Sequence, residues 1–142
     1  MILLDANLLL HAHNTGSAQS GAASKWLETV IAEPEPVGLP WLSALAFLRI
    51  TTNPRAFPDA YSIAEAVVIL SDYFAASSVV AINPGPRHWE LLSSLLEKSQ
   101  ARGDLASDAH LAALAIEHGA TLCTTDRGFA RFPGLRFVNP LE

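Results

Sequence analysis

A single cysteine, Cys123, occurs in the 142 residues, so no disulfide can form within the chain. There is neither a CxxC pair nor a Cys/His spacing of the kind that builds structural zinc. Lysine is scarce, with only Lys25 and Lys98 beside seven arginines. With 14 acidic against 9 basic side chains, a net charge of −5 and a pI near 5.4, the chain has no broad basic face to hold nucleic acid by charge alone. That balance still admits an enzyme that meets phosphates through a bound metal. Apolar runs such as Ala112 to Ile116 fall far short of the roughly 20 residues that a bilayer helix needs, so no membrane partner is expected. The apolar start, Ile2 to Leu4, meets Asp5 at once with no basic segment before it. It is therefore not read as a secretory signal, and a reducing cytoplasm is the expected compartment. Glycine-rich phosphate loops, a GxSxG elbow and an HxxxH helix are all missing.

Half of the residues are apolar and 16% are charged, which supports a core and is too little charge for disorder. Proline and glycine punctuate the chain without repeats, so residues 1–142 read as one domain with no linker. Short β-branched or leucine-rich runs predict strands at Ile2 to Leu4, Val37 to Leu39, Val79 to Ile82, Thr121 to Thr124 and Phe137 to Val138. Helical periodicity predicts helices at Ser20 to Ala32, Leu42 to Ile50, Tyr61 to Ala75, about Pro86 to Ser99, and Ser107 to His118 closed by Gly119, with a last short one around Phe129. Strands alternating with helices imply an α/β sandwich around a mainly parallel sheet flanked by helices.

In such folds ligands bind beyond the carboxyl ends of the strands, and two aspartates stand there: Asp5 after the first strand and Asp126 after the fourth. Asp108 lies in DAHLAALAIEHG, a helix so rich in Ala, Leu and Ile that most of its circumference must be buried. Converging carboxylates repel and raise one another's pKa unless a cation neutralises them, and a hard divalent ion with oxygen ligands, Mg²⁺ or Mn²⁺, is the natural one. Asp104, four residues before Asp108, is either a further ligand or a helix N-cap; Asp5 and Asp126 have the corresponding turn and cap alternatives. Asn7, Thr124 and Thr125 are candidates to orient the carboxylates, with ordinary turn and strand roles as the alternatives. Arg49, Arg127 and Arg131 flank the acidic segments and are candidate phosphate contacts, or solvated surface. The histidines form no ligand spacing, and His110 is expected at a packed or solvated helix edge.

The segments ILLDANLLLHA, PWLSALAFLRITTNPRAF and DAHLAALAIEHGATLCTTDRGFARFPGLRFVNPL resemble PIN-domain ribonucleases. They look most like VapC-type toxins of type II toxin–antitoxin modules, in the version common in mycobacteria and related actinobacteria. The resemblance runs from Met1 to Leu141. It implies a PIN-like three-layer sandwich and a Mg²⁺-dependent endoribonuclease acting on transfer or ribosomal RNA. It also implies a cognate VapB-type antitoxin as partner, and a homodimer. Carried over residue by residue, Asp5 and Asp108 are metal ligands and Asp126 is the acid that assists directly or through water. One departure stands out: many PIN domains carry a glutamate in the helix after the second strand, and here Phe47 occupies that place. One metal ion or two is thereby left open, as is an alternative role as a catalytically weakened domain that acts mainly by binding an antitoxin or RNA. A phosphoacceptor receiver domain, which also gathers aspartates at strand ends, lacks support because Asp126 and Arg127 stand where its lysine belongs.

Overall fold

The computed structural model describes residues 1–142. Five strands, β1 (Ile2–Leu4), β2 (Val37–Pro40), β3 (Val79–Ile82), β4 (Thr121–Cys123) and β5 (Phe137–Val138), form one sheet in the order β3-β2-β1-β4-β5. Every pairing is parallel, so the sheet is wholly rather than mainly parallel. β1 is central because Leu3 and Leu4 are both fully buried and can be covered only from opposite faces.

Six helices supply those covers. α1 (Ala6–His13), α2 (Ser20–Ala32), α3 (Trp41–Thr51) and α4 (Ile63–Ala75) pack Leu8, Leu9, Leu27, Phe47 and Leu70 with Leu4, Leu39 and Cys123 on one side. α5 (His88–Ser99) and α6 (Leu105–Glu117) pack Leu95, Leu111 and Leu114 with Leu3, Ile82 and Leu122 on the other. A short 3₁₀ helix, Arg127–Arg131, is pinned to this second core by Phe129 and Phe132. No helix is long and apolar enough to cross a membrane. Phe47, on α3, and Phe57, in the turn beyond it, are buried in the core, and neither is open to a partner.

The structure adds one helix and moves several ends. α1 follows β1 after a single residue, and its leucine run Leu8 to Leu10 carries no polar stripe by which to tell a helix from a continued strand. α4 starts at Ile63 and not Tyr61, because Ser62 and Glu65 form a capping box: the Ser62 hydroxyl accepts from the Glu65 amide at 3.1 Å and the Glu65 carboxylate accepts from the Ser62 amide at 2.9 Å. α6 starts at Leu105, two residues earlier than expected, and ends where Gly119 takes a left-handed φ of 62°.

Outside the sheet, α5 and α6 are clasped at one end. The Glu117 carboxylate accepts from the Gly85 and Arg87 amides, each at 2.8 Å, and His88 Nε2 meets His110 Nδ1 at 2.9 Å. These polar groups are spent on holding the layer together, and none of the five histidines pairs with Asp5, Asp108 or Asp126.

Gly38, in the middle of β2, lets its neighbours close over it. A Cβ there would meet the Leu3 side chain and would lie 2.8 Å from Ile82 Cγ1. Gly38→Ala is expected to destabilise the domain by about 1–3 kcal/mol through overpacking, read as a lower urea midpoint with an unchanged slope. An unchanged midpoint would show that the two side chains swing aside freely.

Candidate active site at the carboxyl edge of the sheet

β1 and β4 are neighbours, in the register Leu3↔Leu122 and Leu4↔Cys123, so the residues that leave them emerge side by side. The Asp5 amide donates to the Cys123 carbonyl at 3.0 Å. Asp5 holds the N-cap position of α1, yet its side chain makes no cap bond. Its Oδ2 instead accepts from the Thr124 hydroxyl at 2.8 Å and from Asn7 Nδ2 at 3.3 Å. Thr124 is 1% exposed, and its Oγ1 also accepts from Asn7 Nδ2 and from the Asp126 amide, both at 3.0 Å. A threonine that follows the strand thus fixes one carboxylate and the backbone of the next.

Thr125 takes part only through its amide, which donates to Asn7 Oδ1 at 3.3 Å. Its hydroxyl orients no carboxylate, because the residue after Thr124 on an extended backbone points the other way. Asp126 is exposed, and one of its oxygens caps the 3₁₀ helix by accepting from the Gly128 amide at 2.8 Å. Asp108 comes from the first turn of α6. Burial pushes its carboxyl up to about 6, the charges of Asp5 and Asp126 add to the rise, Arg131 opposes it, and Asp104 adds a little more. Burial also raises Asp5, against the Thr124 hydroxyl and the Ala6 amide, while the Asp126 charge reinforces it. The charges of Asp5 and Asp126 thus act on Asp108, and that of Asp126 acts on Asp5. Asp104 sits at the N-cap position of α6, exposed, with no cap bond from its side chain, and reaches the cluster through its charge on Asp108.

Of the three arginines, Arg131 alone acts on these acids. Arg127 is exposed and turned to Glu142, 2.8 Å away. Arg49 is exposed in the last turn of α3, where no contact links it to the carboxylates. Flanking an acidic segment in sequence is a poor guide here, because successive side chains of a helix or turn leave in different directions. The helix that often supplies a glutamate supplies none: Phe47 is fully buried, and one turn earlier Ser43 donates to the Leu4 carbonyl at 2.7 Å.

The donor chemistry suits a hard divalent cation, since mutually repelling carboxylates are the oxygen ligands such an ion takes. No three acidic or imidazole side chains already converge on one point.

A separate groove of about 500 Å³ lies away from the acids between α1, α2 and α4, lined by Ala12, His13, Leu27, Ile31, Ile69 and Tyr73, with Glu28 and Asp72 among its polar residues. At its floor His13 Nε2 meets the Tyr73 hydroxyl at 2.9 Å. Sequence periodicity does not reveal this groove, because it exists only between helices.

An acid whose folded pKa is raised destabilises the fold once ionised, so the cation-free protein loses stability as pH rises from about 4 towards 6. In EDTA, Asp108→Asn should melt about 3–6 °C above the unsubstituted chain at pH 7, after halving the effect for solvent screening. The two should melt together at pH 4. Thermal melts followed by circular dichroism check this, and equal melting at pH 7 would mean that the carboxylates do not strain the fold.

Residues 2–135 match the PIN domain family model. The chain is 38% identical over 140 residues to Ribonuclease VapC37 of Mycobacterium tuberculosis, covering 99% of this chain and 97% of that one. It is 39% identical over 140 residues to Ribonuclease VapC31 of the same species, covering 99% of each. Among solved structures it is similar to M. tuberculosis VapC20, described as a sarcin-ricin loop cleaving toxin, with a TM-score of 0.69, 18% identity and 96% and 99% of the two chains covered. It is also similar to VapBC-1 from nontypeable Haemophilus influenzae, with a TM-score of 0.71, 13% identity and both chains covered in full.

Proposed function

The chain belongs to the PIN-domain family, and from that membership we infer that it is the toxin of a type II toxin–antitoxin module, a VapC-type endoribonuclease that hydrolyses RNA phosphodiesters. What supports the assignment is the hydrogen-bonded join of Asp5, Thr124 and the Asp126 amide at one sheet edge, with the charges of Asp5 and Asp126 acting on the raised carboxyl of Asp108. We assign Asp5 and Asp108 as the carboxylates that hold Mg²⁺, with Mn²⁺ as a substitute, and Asp126 as the acid that assists. When bound, the cation supplies Lewis acidity: it neutralises charge on the phosphodiester and makes water a stronger acid.

The chain's own residues supply the rest. Thr124 and Asn7 hold Asp5 Oδ2 in one orientation, so that carboxylate need not reorganise as charge develops. Asp126 spends one oxygen on the Gly128 amide and keeps the other for the attacking water or a second ion. Asp104, exposed one turn from Asp108, adds negative charge that draws in the cation. Transfer or ribosomal RNA is the substrate class we favour.

For the VapB-type antitoxin, the apolar groove between α1, α2 and α4 is the seat, suited to an apolar segment whose basic residues meet Glu28 and Asp72. Exposed Trp41, Leu45, Val67 and Val68 on α3 and α4 form the face for a homodimer. A reducing cytoplasm suits a lone buried thiol. Phe47 in place of a helix carboxylate favours a second reading, in which cleavage is weak and partner binding is the main role.

Incubating a total RNA pool with the purified, antitoxin-free protein and sequencing the fragment ends tests the assignment. Discrete cuts are expected with Mg²⁺ or Mn²⁺ and none with EDTA. Asp5→Asn and Asp108→Asn should each lose cutting at least about 100-fold while remaining folded. Metal-dependent cuts that persist in the double variant would refute the assigned site, and no cuts from folded wild type would favour the partner-binding role. Thr124→Val, which keeps shape and removes the hydroxyl, is expected to slow cutting by about 10–100-fold. An unchanged rate would show that Asp5 needs no such support.

A further inference from the structure

Arg131 is a cation placed beside the acids and paired with none of them. Its Nε donates to the Gly128 carbonyl at 2.8 Å. Its Nη groups have no acceptor in the protein, and no carboxylate lies within ion-pair distance, in contrast to Arg127 with Glu142 and Arg87 with Glu90. The backbone that carries it is rigid, since Phe129 and Phe132 on either side are 1% and 3% exposed. Its charge reaches Asp108, and no other basic residue is felt there.

Gly128 makes this placement possible. A Cβ at that position would lie 3.0 Å from Arg131 Nη2 and 2.9 Å from Asp126 Oδ1, so the guanidinium and the carboxylate flank the space that a side chain would fill. The backbone of Gly128 is not in the left-handed region. The glycine is needed there for room and not for conformation.

We propose that Arg131, seated over Gly128, is the substrate-binding arginine of the site, gripping a phosphodiester of the RNA through its free Nη fork next to the cation-binding carboxylates. This deepens the nuclease assignment and rests on it. With Nε tied to a carbonyl and Nη2 lying over Gly128, the guanidinium is held in place while its Nη donors have no protein acceptor, and such a fork matches two phosphate oxygens. An anionic substrate entering a cluster of aspartates needs a fixed positive charge at its edge, and this is the one that the fold supplies. Lysine would bring the charge without the planar fork.

The test has a binding arm and a cleavage arm. In EDTA, fluorescence anisotropy with a labelled single-stranded RNA of random sequence should show Arg131→Ala binding about 3–10-fold more weakly, with a salt slope lower by about one. Arg127→Ala, which removes the same charge four residues away, should bind within twofold of wild type. Gly128→Ala leaves the charge intact and should weaken binding in the same direction as Arg131→Ala. It should add nothing in the Arg131→Ala background. With Mg²⁺, Arg131→Ala should lower kcat/KM at least about 10-fold, with Arg131→Lys restoring binding better than turnover.

Equal losses in Arg127→Ala and Arg131→Ala would overturn the proposal in favour of net charge alone, and wild-type binding and cutting by Arg131→Ala would overturn it outright. A further loss from Gly128→Ala in the Arg131→Ala background would overturn the glycine seat. Failure of wild type to cut counts against the nuclease assignment, and the binding arm, which needs no cleavage, then still decides the role of Arg131.

Discussion

The hydrogen bond from the Thr124 hydroxyl to Asp5, 2.8 Å long and spanning 119 residues of sequence, is the contact on which the site depends. It exists because β1 and β4 are neighbours in a parallel sheet. Its donor is buried while its acceptor lies at the rim. One buried hydroxyl thus orients a carboxylate and, by accepting from the Asp126 amide, sets where the next carboxylate leaves the chain. Without that carboxylate the buried oxygen would keep its two donors, but its own O–H would be left without an acceptor, which is costly.

Against this order stands an electrostatic strain. Burial and mutual repulsion raise Asp5 and Asp108, so the domain is held together by packing on two faces of the sheet while its edge works against it. The fold thus keeps these negative charges closer than they would settle by themselves. The same edge carries a single unpaired arginine, and the contrast between one seated cation and several aspartates gives the site its polarity. The apolar groove between α1, α2 and α4 is lined by none of Asp5, Asp108 and Asp126.

Asp5, Asp108 and Asp126 were legible because each carries a local signal: two follow buried strands, and the third interrupts a helix otherwise apolar on nearly every side. The parallel α/β layout was legible for the same reason, since short apolar runs alternate with helical periodicity. α1 was not, because Leu8 to Leu10 is apolar throughout and carries no period. The capping box at Ser62 and Glu65 was present as a signature three residues apart and would have placed the start of α4. The arginines could not be ranked. Arg49, Arg127 and Arg131 look alike in sequence, and only the direction in which each leaves its helix or turn separates a surface ion pair from a charge beside the acids.

Local sequence therefore determined the strands and every long helix but α1, and which acidic side chains are candidates for chemistry, because periodicity, caps and buried charge act over a few residues. Tertiary structure decided what those side chains do. Thr124 became the support of Asp5 and Thr125 did not, Phe47 was drawn into the core, and Gly128 became the floor beneath Arg131. Each of these outcomes is a contact set by strand order and helix packing, and strand order is a property of the whole chain, beyond the reach of any one segment.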